Sequence, residues 1–183
     1  MSATILVQIM DFMELTSLIR DVPDFPQKGI VFKDITPLLA SPAGLAMAVE
    51  TMANPFRGMG IERVAGAESR GFIFGTAIAQ ALSAGFIPIR KPNKLPARTC
   101  GVEYELEYGT DRLEVHADAV EPGQRVLMVD DLLATGGTMK AACNLIHELR
   151  GEIAGIAVLI ELTTLAGREI LKPHGDIHSV IKF

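Results

Sequence analysis

Two adjacent carboxylates, Asp130 and Asp131, follow the apolar run Val126–Val129, and a stretch of small residues comes next: Ala134, Thr135, Gly136, Gly137 and Thr138. A loop of that composition leading into a helix presents successive backbone N–H groups, and the helix dipole favours an anion in front of them. Gly136 and Gly137 let the backbone approach a ligand closely. The hydroxyls of Thr135 and Thr138 can donate to phosphate oxygens. No lysine follows the glycines and no GxGxxG is present, so neither a nucleoside-triphosphate loop nor a dinucleotide site is indicated. A terminal monophosphate suits the loop. Carboxylates repel phosphate, however, so Asp130 and Asp131 need a different partner. Vicinal hydroxyls, or waters on a Mg²⁺ ion, provide one. A phosphorylated sugar meets both demands.

Arg70, Lys91 and Lys94 add positive charge in two other polar turns, Glu68–Gly71 and Lys91–Lys94. Together they can hold a second anionic group such as a diphosphate. Mg²⁺ usually bridges phosphate oxygens and keeps several waters, so a second anion would account for the metal.

These turns need a scaffold that brings them to one place. Strand patterns at Arg63–Ala67, Phe86–Arg90, Gln124–Asp130, Ile153–Leu162 and His178–Phe183 alternate with helical patterns at Phe72–Leu82 and Thr138–Leu149. That alternation predicts an α/β fold with a mostly parallel twisted sheet flanked by helices. Ligands of such sheets bind beyond the carboxyl ends of the strands, where all three polar turns fall. Before them come a short amphipathic helix at Asp11–Arg20 and an extended piece at Ile30–Phe32. A helix capped by Ser41, with Pro42 in its first turn, then runs towards Ala53. Between Pro92 and Asp118 the alternation stops. Tyr104–Glu107 and Leu113–His116 alternate about a turn at Tyr108–Asp111, which reads as a hairpin. A long excursion at the ligand edge is more often a lid than filler.

With 183 residues, one domain spanning residues 1–183 is expected. A net charge of −5 argues against general nucleic-acid binding. Cys100 and Cys143 form no metal-like pair, and Cys143 sits in a helical pattern as a small core residue. The start of the chain lacks a signal-peptide pattern, and no apolar run spans a bilayer, so a soluble cytoplasmic protein without membrane partners is expected.

The stretch "VLMVDDLLATGGTM" resembles the phosphoribosyl-diphosphate signature of the type I phosphoribosyltransferases. "DFPQKGIVFKDITPLL", "ESRGFIFG", "IRKPNKLP", "YELEYG", "VEPGQRV" and "IELTTLAGRE" resemble, in order, the branch of that family acting on adenine. The resemblance implies purine salvage: adenine and phosphoribosyl diphosphate give AMP and diphosphate. It puts the 5′-phosphate in Ala134–Thr138 and the ribose hydroxyls at Asp130 and Asp131, directly or through Mg²⁺-bound water. It puts the diphosphate at Arg70, Lys91 and Lys94. Glu107 falls on the acidic residue assigned to catalysis, with Tyr108 beside it. Phe32 and Leu162 would flank the base, and Val31 C=O with Lys33 N–H would read its edge. Lys33 stands where arginine is common. The resemblance also implies a homodimer, a small hood mainly from residues 1–35, a mobile lid over about 95–116, and a cis Glu68–Ser69 bond. Two alternatives stay open: an enzyme for a 6-oxopurine, and a phosphoribosyl-diphosphate-sensing regulator of the same fold. The intact "LEYG" stretch favours an enzyme.

Overall fold

A computed structural model describes residues 12–105 and 109–183. The chain divides into two units, 1–51 and 52–183, and the expected hood falls within the first.

In the first unit, α1 (Phe12–Ser17) precedes an antiparallel ribbon of β1 (Arg20–Pro23) and β2 (Val31–Asp34). The extended piece was legible, but its partner β1 was not. Val22 is the only apolar residue of β1 besides Pro23, so hydrophobic alternation gives no signal there. Cross-strand charge pairs hold it instead. Arg20 Nη2 lies 2.6 Å from Asp34 Oδ2, and Lys33 Nζ lies 2.7 Å from Asp21 Oδ1. Asp34 also accepts the Thr36 N–H at 2.9 Å, which opens α2 (Thr36–Ala40). That bond, then Arg20, holds the Asp34 carboxyl below its usual range. The predicted cap of α3 (Pro42–Ala53) is present: Ser41 Oγ accepts the Gly44 N–H at 3.1 Å.

The second unit is built on five parallel strands: β3 (Arg63–Ala67), β4 (Gly85–Ile89), β7 (Arg125–Leu133), β8 (Glu152–Glu161) and β9 (Ile177–Lys182). Their order across the sheet is β4-β3-β7-β8-β9. Two helices follow strands, α4 (Gly71–Leu82) after β3 and α5 (Gly137–Glu148) after β7. α4 packs on β3, β7 and β4 through buried Phe74 and Ile78. Met139, Ala142, Cys143, Leu145 and Ile146 of α5 join Val126, Met128, Ile156 and Val158 in one buried cluster. Burial pushes the Cys143 thiol up to about 12, in keeping with a core residue. The chain switches direction across the sheet between β3 and β7, and a crevice opens there beyond the strand ends.

One boundary differs from expectation. β7 does not end at the acidic pair but continues to Leu133. The neighbouring β8 runs alongside it to the same point, with Leu132 opposite Ile160 and Leu133 opposite Glu161. Ladder bonds therefore satisfy the backbone past the carboxylates. A short helix, α6 (Gly167–Leu171), also went unforeseen.

The hairpin is real and longer than its pattern suggested: β5 (Thr99–Glu105) pairs with β6 (Thr110–His116), Tyr104 opposite Asp111. Its base is part of the core. Leu113 and Val115 are fully buried, and Arg90 and Glu114 exchange backbone bonds of 2.8 and 2.7 Å. Among the described residues no helix is long and apolar enough to cross a membrane.

Candidate active site

The ends of β3 and β7 enclose a cavity of about 310 Å³, lined by Glu68–Arg70 on one side and Asp130–Met139 on the other. Gly136 adopts φ +84° as the N-cap of α5, and no side chain caps the helix. The first N–H groups of α5 therefore remain available to an anion. Ala134, Thr135, Gly136, Gly137 and Thr138 all line this cavity, as do Arg70, Asp130 and Asp131.

The acids sit in unequal surroundings. Asp131 is buried, and Arg70 Nη2 lies 2.9 Å from its Oδ2. The contact is Coulombic, because no hydrogen bond of good angle reaches that oxygen. Asp130 Oδ1 accepts the Asp131 N–H at 2.9 Å. It is crowded by Gly71, where an added Cβ would come within 2.9 Å of it. Burial, then the Asp131 charge, push Asp130 well above the usual carboxylate range. Burial also raises Asp131, with Arg70 opposing. Arg70 beside Asp131 offsets one of the two carboxylates, so the acids and an anion-accepting helix start can share one cavity.

Lys91 and Lys94 do not line the cavity. Lys91 Nζ pairs with Asp111 of the hairpin and contacts Tyr104 OH at 3.2 Å. Burial works against its charge, but the bonds from Asp111 and Tyr104 outweigh it and hold the ammonium above its usual value. Lys94 is exposed, and its carbonyl accepts from Arg90 Nη1 at 3.3 Å. Glu68 organises this turn, a role absent from the sequence reading. Its Oε2 accepts Arg90 Nε at 2.9 Å and Lys91 N–H at 3.1 Å. The only signal for it was an acid directly before "SRG". The Glu68–Ser69 bond is cis, as the resemblance implied.

Leu162 follows β8 and donates its N–H to Leu133 O at 2.9 Å. Val31, Phe32 and Lys33 lie on β2 of the first unit. There Phe32 meets Phe25 edge-on, with centroids 5.2 Å apart. Glu107 and Tyr108 lie outside the described residues. Among the described residues no group of three or more acids, histidines or cysteines forms a metal cage. Two carboxylates fit only a metal held mainly by substrate oxygens and water.

A cavity at the switch of a parallel sheet, with an uncapped helix start, an acidic pair and an arginine, defines a class. The family model for the phosphoribosyl transferase domain matches residues 39–177. The adenine phosphoribosyltransferase of Halothermothrix orenii is 54% identical over 93% of this chain and 99% of its own length. A crystal structure of adenine phosphoribosyltransferase from Thermoanaerobacter pseudethanolicus matches with TM-score 0.91 and 51% identity, covering 94% of this chain and 100% of that one. The Saccharomyces cerevisiae adenine phosphoribosyltransferase, solved with an imino-altritol bisphosphate and adenine, matches with TM-score 0.87 and 34% identity, over 92% and 97% of the two chains. The chain belongs to the adenine phosphoribosyltransferase family.

Proposed function

We infer that this chain transfers the 5-phosphoribosyl group of phosphoribosyl diphosphate to adenine, giving AMP and diphosphate in purine salvage. The observation that carries the inference is the single cavity in which an uncapped helix start, two adjacent carboxylates and Arg70 meet. In this reading Ala134–Thr138 hold the 5′-phosphate, and Asp130 and Asp131 hold the ribose hydroxyls. Arg70, with Lys91, Lys94 and Tyr108, binds the diphosphate. Departure of diphosphate leaves positive charge on the sugar, so the site must stabilise a cation and a leaving anion together. Mg²⁺ would neutralise diphosphate charge while held by substrate and water near Asp130 and Asp131. Glu107 stabilises the cation or takes the purine proton. The tip of the hairpin lid excludes water from the activated sugar. The residues we assign to adenine are Val31, Phe32, Lys33 and Leu162. A homodimer in the cytoplasm, with residues 1–35 as the hood, completes the reading.

Turnover with adenine, guanine, hypoxanthine and xanthine in turn tests it. Product should form with adenine. A 6-oxopurine used as well as adenine would overturn the base assignment, and no turnover with any base would return the chain to a sensor. Glu107→Ala should lower kcat by about 10²–10⁴-fold with little change in Tm. A kcat within twofold of the parent would remove Glu107 from the chemistry.

A further inference from the structure

The phosphate loop rests on a second glycine. Gly167, the first residue of α6, is buried against the loop backbone. A Cβ at Gly167 would overlap the Ala134 carbonyl oxygen outright and come within 3.0 Å of both Gly136 N and Leu133 Cδ1. The contact is mutual, since a Cβ at Gly136 would come within 2.8 Å of Gly167 O. Two backbones therefore lie as close here as the absence of side chains allows.

Which side would yield to an added methyl is decided by anchoring. The segment from Leu162 to Arg168 is tied at both ends. Leu162 N–H bonds Leu133 O at 2.9 Å, and Thr163 gives Phe183 O its N–H at 2.9 Å and its hydroxyl at 2.8 Å. Next to Gly167, the Arg168 guanidinium reaches Glu161 Oε1 at 2.8 Å, Glu161 Oε2 at 2.6 Å, Ile177 O at 2.9 Å and Ser179 Oγ at 3.1 Å. Those partners belong to the sheet. The loop opposite is less constrained, with Thr135 exposed at its crest. An added Cβ would displace the loop, not the helix.

We propose that Gly167 is a positioning residue for the sugar 5′-phosphate, setting where the N–H groups of Ala134–Gly137 point without touching the ligand. This rests on the reading of Ala134–Thr138 as the 5′-phosphate site. The effect should fall mainly on one end of the substrate, because the proposed diphosphate side lies on the opposite, β3 side of the cavity, at Glu68 and Arg70, and in the Lys91 turn that Glu68 organises.

The test compares two fragments of the substrate by calorimetry: ribose 5-phosphate for the loop, inorganic diphosphate for the other end. In Gly167→Ala the Kd for ribose 5-phosphate should rise at least about tenfold while that for diphosphate stays within about twofold. Unchanged ribose 5-phosphate affinity in the folded variant, or equal loss for both ligands, would overturn the proposal. Should Gly167→Ala not fold, Arg168→Lys carries the test. It keeps the charge beside Glu161 but loses the fork, so Gly167 is held less firmly. It should weaken ribose 5-phosphate a fewfold and spare diphosphate, and the same two outcomes count against the proposal. Thr138→Val separates the underlying reading. If it leaves ribose 5-phosphate binding intact, the loop is not the phosphate site. If it weakens binding and the Gly167 and Arg168 variants do not, the positioning role alone fails.

Discussion

Asp130 and Asp131 are neighbours in sequence and unlike in environment, and their variants should differ accordingly. Asp131→Asn leaves Arg70 without the carboxylate 2.9 Å away, so it should raise the concentration of phosphoribosyl diphosphate or Mg²⁺ needed for turnover. Asp130→Asn should do so less, because Arg70 lies against Asp131 and not against Asp130. The double variant should be nearly inactive, and normal steady-state kinetics from it would contradict their place at the ribose. Lys33 offers a second residue-level expectation. Its Nζ is engaged by Asp21 at 2.7 Å, so under the proposed function reading of the base is left to the main chain. Lys33→Ala should keep the preference for adenine over hypoxanthine, since a reversed donor–acceptor pair leaves buried groups unsatisfied at about 1–3 kcal/mol each. Equal rates with both bases would assign the reading to the side chain instead. The glycine turn into α5 was legible in the sequence because its signal is local: small residues, two glycines and a helix start within five positions. Glu68 and Asp111 were not, because their meaning lies in Lys91, which is remote from both in the chain.

Among the elements, the central strands and helices were legible from apolar runs and turns, within a few residues at their ends. β1 and α6 were not, because charge pairs hold the one, and close backbone packing with the Arg168 fork holds the other. The Arg168 fork onto Glu161 is the element-level bond that fixes α6 to the sheet. Hydrogen bonds from Arg168 and Ser179, against some burial, lower the Glu161 carboxyl from its usual 4.5 to about 2. A carboxyl lowered in the folded state stabilises the fold above about pH 4.5. That contribution fades as pH falls from there towards 2. At neutral pH it amounts to on the order of 3 kcal/mol. Glu161→Gln should therefore be less stable at pH 7, and its stability should change less with pH between 5 and 2. Denaturant titrations across that range would show this. Curves that stay parallel for the two proteins would refute the linkage.

For the whole molecule, no third acid, histidine or cysteine joins Asp130 and Asp131 among the described residues, and the proposed function leaves the metal to substrate and water. A chelator should abolish turnover and leave Tm within about 1 °C, because an ion held mainly by substrate adds nothing to the stability of the free protein. A large drop in Tm on chelation would reveal a structural metal instead. That the turns at Glu68–Arg70 and Asp130–Thr138 share one cavity was legible because both follow strands of one parallel sheet. The packing that sets those turns in register was not, since it depends on which strands become neighbours.

The strand order also governs when the protein can become itself. β3 needs β4 on one side and β7 on the other, with Arg63 opposite Val126. On a ribosome the first neighbour emerges soon after β3, but the second waits until the whole hairpin has been made. During that interval β3 presents an open edge to the cell, and so do the apolar residues of α4 that pack on β7. Nascent chains at this stage should be the ones that chaperones hold and that crowding drives together. Slowing translation before β7 has left the ribosome would prolong the hazard, while slowing it afterwards would not, since β3 then has a neighbour on each side.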